Sequence, residues 1–141
     1  MDTIAIIGAG SWGTALGINL CGKGYKIHAW DIDAGLLQDM DAHRENRRYL
    51  PGVALPEHFH LEKTQAEALA HAETVIFMVP TRSFRRALTD AAAHLRPHMA
   101  IVNVAKGIEQ GSLMRMSEIA GEILPPAIMD RYVVLSGPSH A

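Results

Sequence analysis

Short apolar runs alternate along this chain with longer segments in which apolar residues recur at helical spacing. Thr3–Ile7, Lys26–Trp30, Phe59–Glu62, Thr74–Val79, Ala100–Val104 and Tyr132–Leu135 have the length and β-branched content of strands. The first, fourth, fifth and sixth are nearly continuous in apolar residues, as parallel strands are when helices cover both faces of their sheet. Between them the spacing predicts helices over Ser11–Gly22, Ala34–Asp41, Thr64–His71, Arg82–Leu95 and Ser112–Ile123. Thr64 with Glu67, and Thr81 ahead of the fourth helix, supply start signals. Gly24, Pro97 and the Pro125-Pro126 pair supply stops. Regular alternation of this kind predicts βαβ units with right-handed crossovers, hence an open, doubly wound α/β sheet that is mainly parallel. Asp41–Pro56 is the longest connection with neither strand nor strong helix character, and connections of that size are often functional.

Composition narrows the function classes. At 141 residues the chain has the length of one domain, and 48% apolar with 20% charged residues excludes disorder. Thirteen basic against fifteen acidic residues leave a net charge of −2, with no basic stripe for nucleic acid. A single cysteine, Cys21, excludes an internal disulfide or a thiolate zinc cluster and reads as a small core residue. His58 and His60 alternate onto one side of a strand, but no third ligand accompanies them, so no metal is expected. No run is long enough to span a membrane, and MDTIAIIGAG lacks the basic start of a signal peptide. A cytoplasmic location is the expectation.

The strongest chemical signal is Gly8-Ala9-Gly10-Ser11-Trp12-Gly13, a G-x-G-x-x-G run between the first strand and the first helix. Gly8 permits the tight turn, Gly10 has no Cβ to block a diphosphate, and Gly13, with Gly17 one turn on, lets the helix lie close to the strand. The helix N-terminus then offers unpaired N–H groups and its positive dipole end to an anion. Asp31 follows the second strand, 18 residues after Gly13, where a carboxylate can accept from both ribose hydroxyls of NAD and repel the extra phosphate of NADP; Asp33 competes for the role. Gly17–Lys23 also fits a P-loop pattern, but Gly24 stands where Ser or Thr is needed, and the run sits inside a helix. Ligands of such sheets bind beyond the carboxyl ends of the strands, so Val79-Pro80, Ala105–Glu109 and Ser136–Ala141 share one rim with the glycine loop.

In this order, IIGAGSWGTALG (6–17), HAW (28–30), ENRRYLPGVALP (45–56), VIFMVP (75–80), AKGIE (105–109) and LSGPSHA (135–141) resemble the N-terminal domain of bacterial-type NAD(P)-dependent glycerol-3-phosphate dehydrogenase. The resemblance covers essentially the whole chain. It implies a Rossmann-type domain over 1–141, as one part of a longer two-domain enzyme. Ser11 and Trp12 would touch the coenzyme, with Tyr49 near it; Lys106 would contact both the nicotinamide end and the substrate. Gly137 and Ser139 would hold substrate, and Ala141 would lie against the coenzyme. It further implies interconversion of dihydroxyacetone phosphate and sn-glycerol 3-phosphate, supplying the phospholipid backbone. Many relatives carry Arg or His near position 32, whereas this chain has Asp31-Ile32-Asp33, which weakens an NADP preference; the coenzyme is NAD or NADP, with NAD favoured by Asp31. His140 replaces the usual Phe. The general-acid lysine of the family lies in a helical C-terminal domain absent from this chain, so no catalytic residue is assigned here and the chain alone is expected to be inactive. A homodimer is an expectation for the full-length form only. Two rivals remain: another reductase of small hydroxy or keto acids on the same fold, and an NAD(H)-sensing domain without chemistry.

Overall fold

The computed structural model describes residues 1–137. Pro138, Ser139, His140 and Ala141, four residues of the resemblance, lie outside them. Among the described residues six strands form one sheet: β1 (Thr3–Ile7), β2 (Lys26–Trp30), β3 (Phe59–Leu61), β4 (Thr74–Phe77), β5 (Ala100–Asn103) and β6 (Tyr132–Val134). Their order is β3-β2-β1-β4-β5-β6, and every adjacent pair is parallel. The direction of winding therefore reverses between β1 and β4, which opens a crevice at their carboxyl ends.

Alternation along β1 divides the core in two. Ile4 and Ile6, in register with Ile27 and Ala29 of β2, bury themselves with Phe59 against one layer of helices. That layer is α1 (Ser11–Gly22) and α2 (Ala34–His43), the latter contributing Leu36, Leu37 and Met40. Ala5 and Ile7, in register with Val75 and Phe77 of β4, face the other layer. It holds α3 (Gln65–Leu69), α4 (Thr81–Ala92), α5 (Met116–Ile123) and α6 (Pro126–Met129). In α4 the spacing of Phe84, Ala87, Leu88 and Ala91 puts one apolar stripe on the sheet while Arg82 and Arg86 stay exposed.

The predicted doubly wound architecture is the observed one, and the ends of its elements show what periodicity misses. Thr64 and Glu67 form the expected reciprocal capping box, but α3 then closes at Leu69 instead of His71. The fourth helix starts at Thr81, after Pro80, and the Thr81 hydroxyl donates to the Lys106 carbonyl instead of capping its own helix. The fifth begins at Met116 instead of Ser112, because residues 108–115 turn back on themselves: Ile108 bridges Arg115, with Gly107 and Gly111 at positive φ. Pro126, read as a stop, is the first residue of α6, a position where its missing N–H costs nothing. Gly24 ends α1 as expected: Tyr25 N–H reaches Leu20 O, and Gly24 N–H reaches Cys21 O. The Gly17–Lys23 run lies within α1 and its cap.

His60 is in β3 and His58 precedes it; His60 stacks on His28 at 4.9 Å, and His28 Nδ1 pairs with Glu62 at 2.6 Å. Burial, with His28 adding to it, holds the His60 imidazole below its ordinary value. Among the described residues no group of three or more His, Cys, Asp or Glu is placed to hold a metal ion, and no helix is long and apolar enough to cross a membrane.

Candidate functional site

The glycine loop fills the crevice between β1 and β4. Gly8 has φ +112°, and a Cβ there would lie 2.5 Å from the Met78 carbonyl oxygen at the end of β4. A Cβ on Gly13 would stand 2.0 Å from the Gly8 carbonyl oxygen, and one on Gly17 2.4 Å from the Phe59 ring. Those two close approaches seat α1 against the sheet. Gly10 differs: a Cβ there would meet nothing within 4 Å. The loop packs inward through Gly8 and Gly13 and leaves an open face at Gly10.

Gly10 is also the N-cap of α1, and its missing side chain supplies no cap hydrogen bond. Helix geometry leaves the first-turn N–H groups without intrahelical acceptors, so an anion in front of Gly10 meets free donors and the positive dipole end. Ser11 is exposed there, and Trp12 is 78% exposed. An indole so exposed has its faces open to a ligand seated at the helix start. Open space, uncapped donors and an exposed ring fit a dinucleotide diphosphate.

Asp31 sits at the end of β2, half-buried, and its two oxygens accept from different backbone groups: Oδ2 from Ala9 N–H at 2.8 Å and Oδ1 from Asp33 N–H at 2.9 Å. Asp31 therefore fixes the glycine loop as well as presenting a carboxylate, whose remaining lone pairs are available to hydroxyls. Asp33 has a separate task. Its Oδ1 caps α2 by accepting from Leu36 N–H at 3.0 Å, and its Oδ2 accepts from Arg48 Nη1 at 2.6 Å. The Arg48 bond holds the Asp33 carboxyl below its ordinary value.

The long connection after α2 folds onto the loop through a residue that the sequence reading passed over. Asn46 is fully buried; its amide donates to Ala9 O at 2.9 Å and Thr14 Oγ1 at 2.8 Å, and its carbonyl accepts from Tyr49 N–H at 3.0 Å. Arg44 secures the far side, donating to Pro56 O and Phe59 O at 2.8 and 2.7 Å. Tyr49, 47% exposed, is thereby held beside the glycine loop. A polar residue inside the Y-L-P-G neighbourhood was the available signal for Asn46.

Lys106 is exposed beyond β5, its carbonyl tied to Thr81 at the start of α4. Glu109 anchors the same turn: Arg85 of α4 grips its carboxylate from Nε and Nη2, both at 2.9 Å, and Ser112 Oγ donates at 2.6 Å. This fork keeps the Glu109 carboxyl below its ordinary range. Arg85 carries no motif signature and was not foreseen. Gly137 is exposed past β6 on the same rim.

A family model described as NAD-dependent glycerol-3-phosphate dehydrogenase N-terminus matches residues 3–141. The chain is 45% identical over 136 residues to glycerol-3-phosphate dehydrogenase (NAD(P)+) from Anaeromyxobacter sp. (strain K), covering 96% of this chain and 41% of that protein. Among solved structures it is similar to glycerol-3-phosphate dehydrogenase from Coxiella burnetii, with TM-score 0.82 and 31% identity over 87% of this chain and 38% of the other. A yeast (Saccharomyces cerevisiae) glycerol-3-phosphate dehydrogenase shares the fold at TM-score 0.77 and 21% identity, over 99% of this chain and 42% of that one. The chain thus spans about two fifths of the length of the curated relatives it matches.

Proposed function

The chain belongs to the family of NAD-dependent glycerol-3-phosphate dehydrogenase N-termini, and from that premise we propose that it is the coenzyme-binding domain of a two-domain enzyme interconverting dihydroxyacetone phosphate and sn-glycerol 3-phosphate. One observation carries the reading: the uncapped N-terminus of α1 faces open space at Gly10 while every other glycine of the fingerprint is packed against protein. The backbone of Gly8, Gly10 and Gly13 forms the cradle for the diphosphate, with Ser11 and Trp12 flanking it and Tyr49 beside it. Asp31 accepts from the adenosine ribose and favours NAD over NADP. A nicotinamide coenzyme, when bound, supplies the hydride carrier.

The residues on the rim orient and polarise. Lys106 adds positive charge near the substrate oxygen, worth most where water is excluded. Its turn is held by Thr81 and by the Arg85–Glu109 fork, so the ammonium starts from a fixed base. Gly137 and Ser139 complete the substrate side, and Ala141 meets the coenzyme. The general acid belongs to the rest of the enzyme, which is expected to act in the cytoplasm, as a homodimer, toward phospholipid synthesis.

Titration of this chain with NADH, followed by coenzyme fluorescence, tests the proposal. Saturable binding is expected, and Asp31→Ala should weaken it about tenfold or more, since bonds to a charged acceptor contribute roughly 1.5–3 kcal/mol. Absence of binding, or indifference to Asp31→Ala, would refute the assignment of loop or acid respectively.

A further inference from the structure

Asp31 and Asp33 make the turn after β2 acidic, yet neither carboxylate stands alone. Asp31 spends one bond on Ala9 N–H and one on Asp33 N–H. Asp33 caps α2 and also takes the Arg48 guanidinium. Arg48 does not come from a loosely attached loop. Two residues earlier, Asn46 is buried and bonded to Ala9 and Thr14, so this segment is registered on the glycine loop itself. The guanidinium carbon lies 5.8 Å from the centre of the Tyr49 ring, which offers it a second favourable surface. A cation is therefore stationed two hydrogen bonds from Asp31, by way of Asp33, and Asp31 is the residue proposed to receive the adenosine ribose.

We propose that Arg48 is the residue through which this chain accepts a 2′-phosphorylated coenzyme, its guanidinium exchanging the Asp33 carboxylate for the phosphate. The Asp33–Arg48 pair would then set the ratio of NADP to NAD binding. The inference rests on the coenzyme reading above. Two physical points support it. The side chains of the pair are 51% and 43% exposed, and an ion pair so open to water holds weakly enough to be traded. The planar fork of arginine matches phosphate oxygens in pairs, and phosphate presents more charge than a carboxylate. Asp33 keeps its Leu36 N–H bond after the exchange and so is not left unpartnered. The neighbouring Arg47 pairs instead with Asp39 and provides a charge-matched comparison.

Dissociation constants for NADPH and NADH, measured side by side on the unmodified chain and on Arg48→Gln, Arg47→Gln and Asp33→Asn, test the proposal. Arg48→Gln is expected to weaken NADPH about tenfold or more relative to NADH, the scale of one lost bond between charged groups. Arg47→Gln should move that ratio by less than about twofold, as a distant exposed charge does at physiological salt. Asp33→Asn keeps a good helix cap and frees the guanidinium, so it should raise NADPH affinity relative to NADH. An unchanged ratio in Arg48→Gln, or an equal change in Arg47→Gln, would overturn the inference and leave the coenzyme reading standing. Failure of the unmodified chain to bind either coenzyme would remove both.

Discussion

Replacing Gly10 by valine is expected to cut coenzyme affinity about a hundredfold or more, the equivalent of two lost bonds to a charged group, while the chain stays folded. The backbone at Gly10 is extended, at φ −74° and ψ −161°, so a side chain introduces no strain there. Its Cβ would project into open space. The folding cost is then that of a poorer helix cap, about 1 kcal/mol or less. Gly13→Val should do the reverse. Its Cβ would fall 2.0 Å from the Gly8 carbonyl oxygen, and no rotamer can relieve a collision with backbone. Either α1 moves off the sheet or the turn opens, at a cost of at least about 3 kcal/mol. Thermal unfolding and NADH titration on the two variants separate the effects: one loses binding without melting early, the other melts early. Equal losses of stability in both would mean that the loop's open face has been misassigned.

Asn46→Ala is the second large effect. The amide is fully buried, donating twice and accepting once, so its removal leaves Tyr49 N–H unpaired and leaves Ala9 O and Thr14 Oγ1 with only the 3.3 Å bond between them. Three lost bonds at about 1 kcal/mol each, with the added penalty of one unpaired N–H, give an expected loss of about 3–4 kcal/mol. For a domain of this size that lowers the melting temperature by roughly 10–15 °C. Coenzyme affinity should fall as well, because the segment bearing Arg48 and Tyr49 loses its register on the glycine loop. A melting temperature within about 2 °C of the unmodified chain, against the few degrees expected per kcal/mol, would show that Asn46 does not hold the segment.

The sheet and its winding were legible because parallel strands under two helical layers must be apolar on both faces. Thr74–Phe77 and Thr3–Ile7 announce that in four or five letters. The glycine loop was legible for a related reason: Gly8 and Gly13 stand where any side chain would strike a carbonyl. What stayed hidden depends on contacts between distant parts of the chain. Asn46 looks like any loop asparagine until the connection folds across α1, 37 residues from the carbonyl it binds at Ala9. Asp33 reads as a competitor of Asp31, whereas the fold gives it a helix to cap and an arginine to hold. Thr81 reads as a cap, yet its hydroxyl finds a better-placed acceptor on the Lys106 turn. Local spacing sets periodicity and turns; the partner a polar side chain finally takes is decided by tertiary neighbours.

Crystals of this chain grown with NADH measure the central claim most directly. The account predicts coenzyme density with the diphosphate in front of Gly10, at the N-terminus of α1, and the adenosine ribose at Asp31. Clear density for the coenzyme at any other place on the molecule, with the space before Gly10 left to solvent, would contradict it.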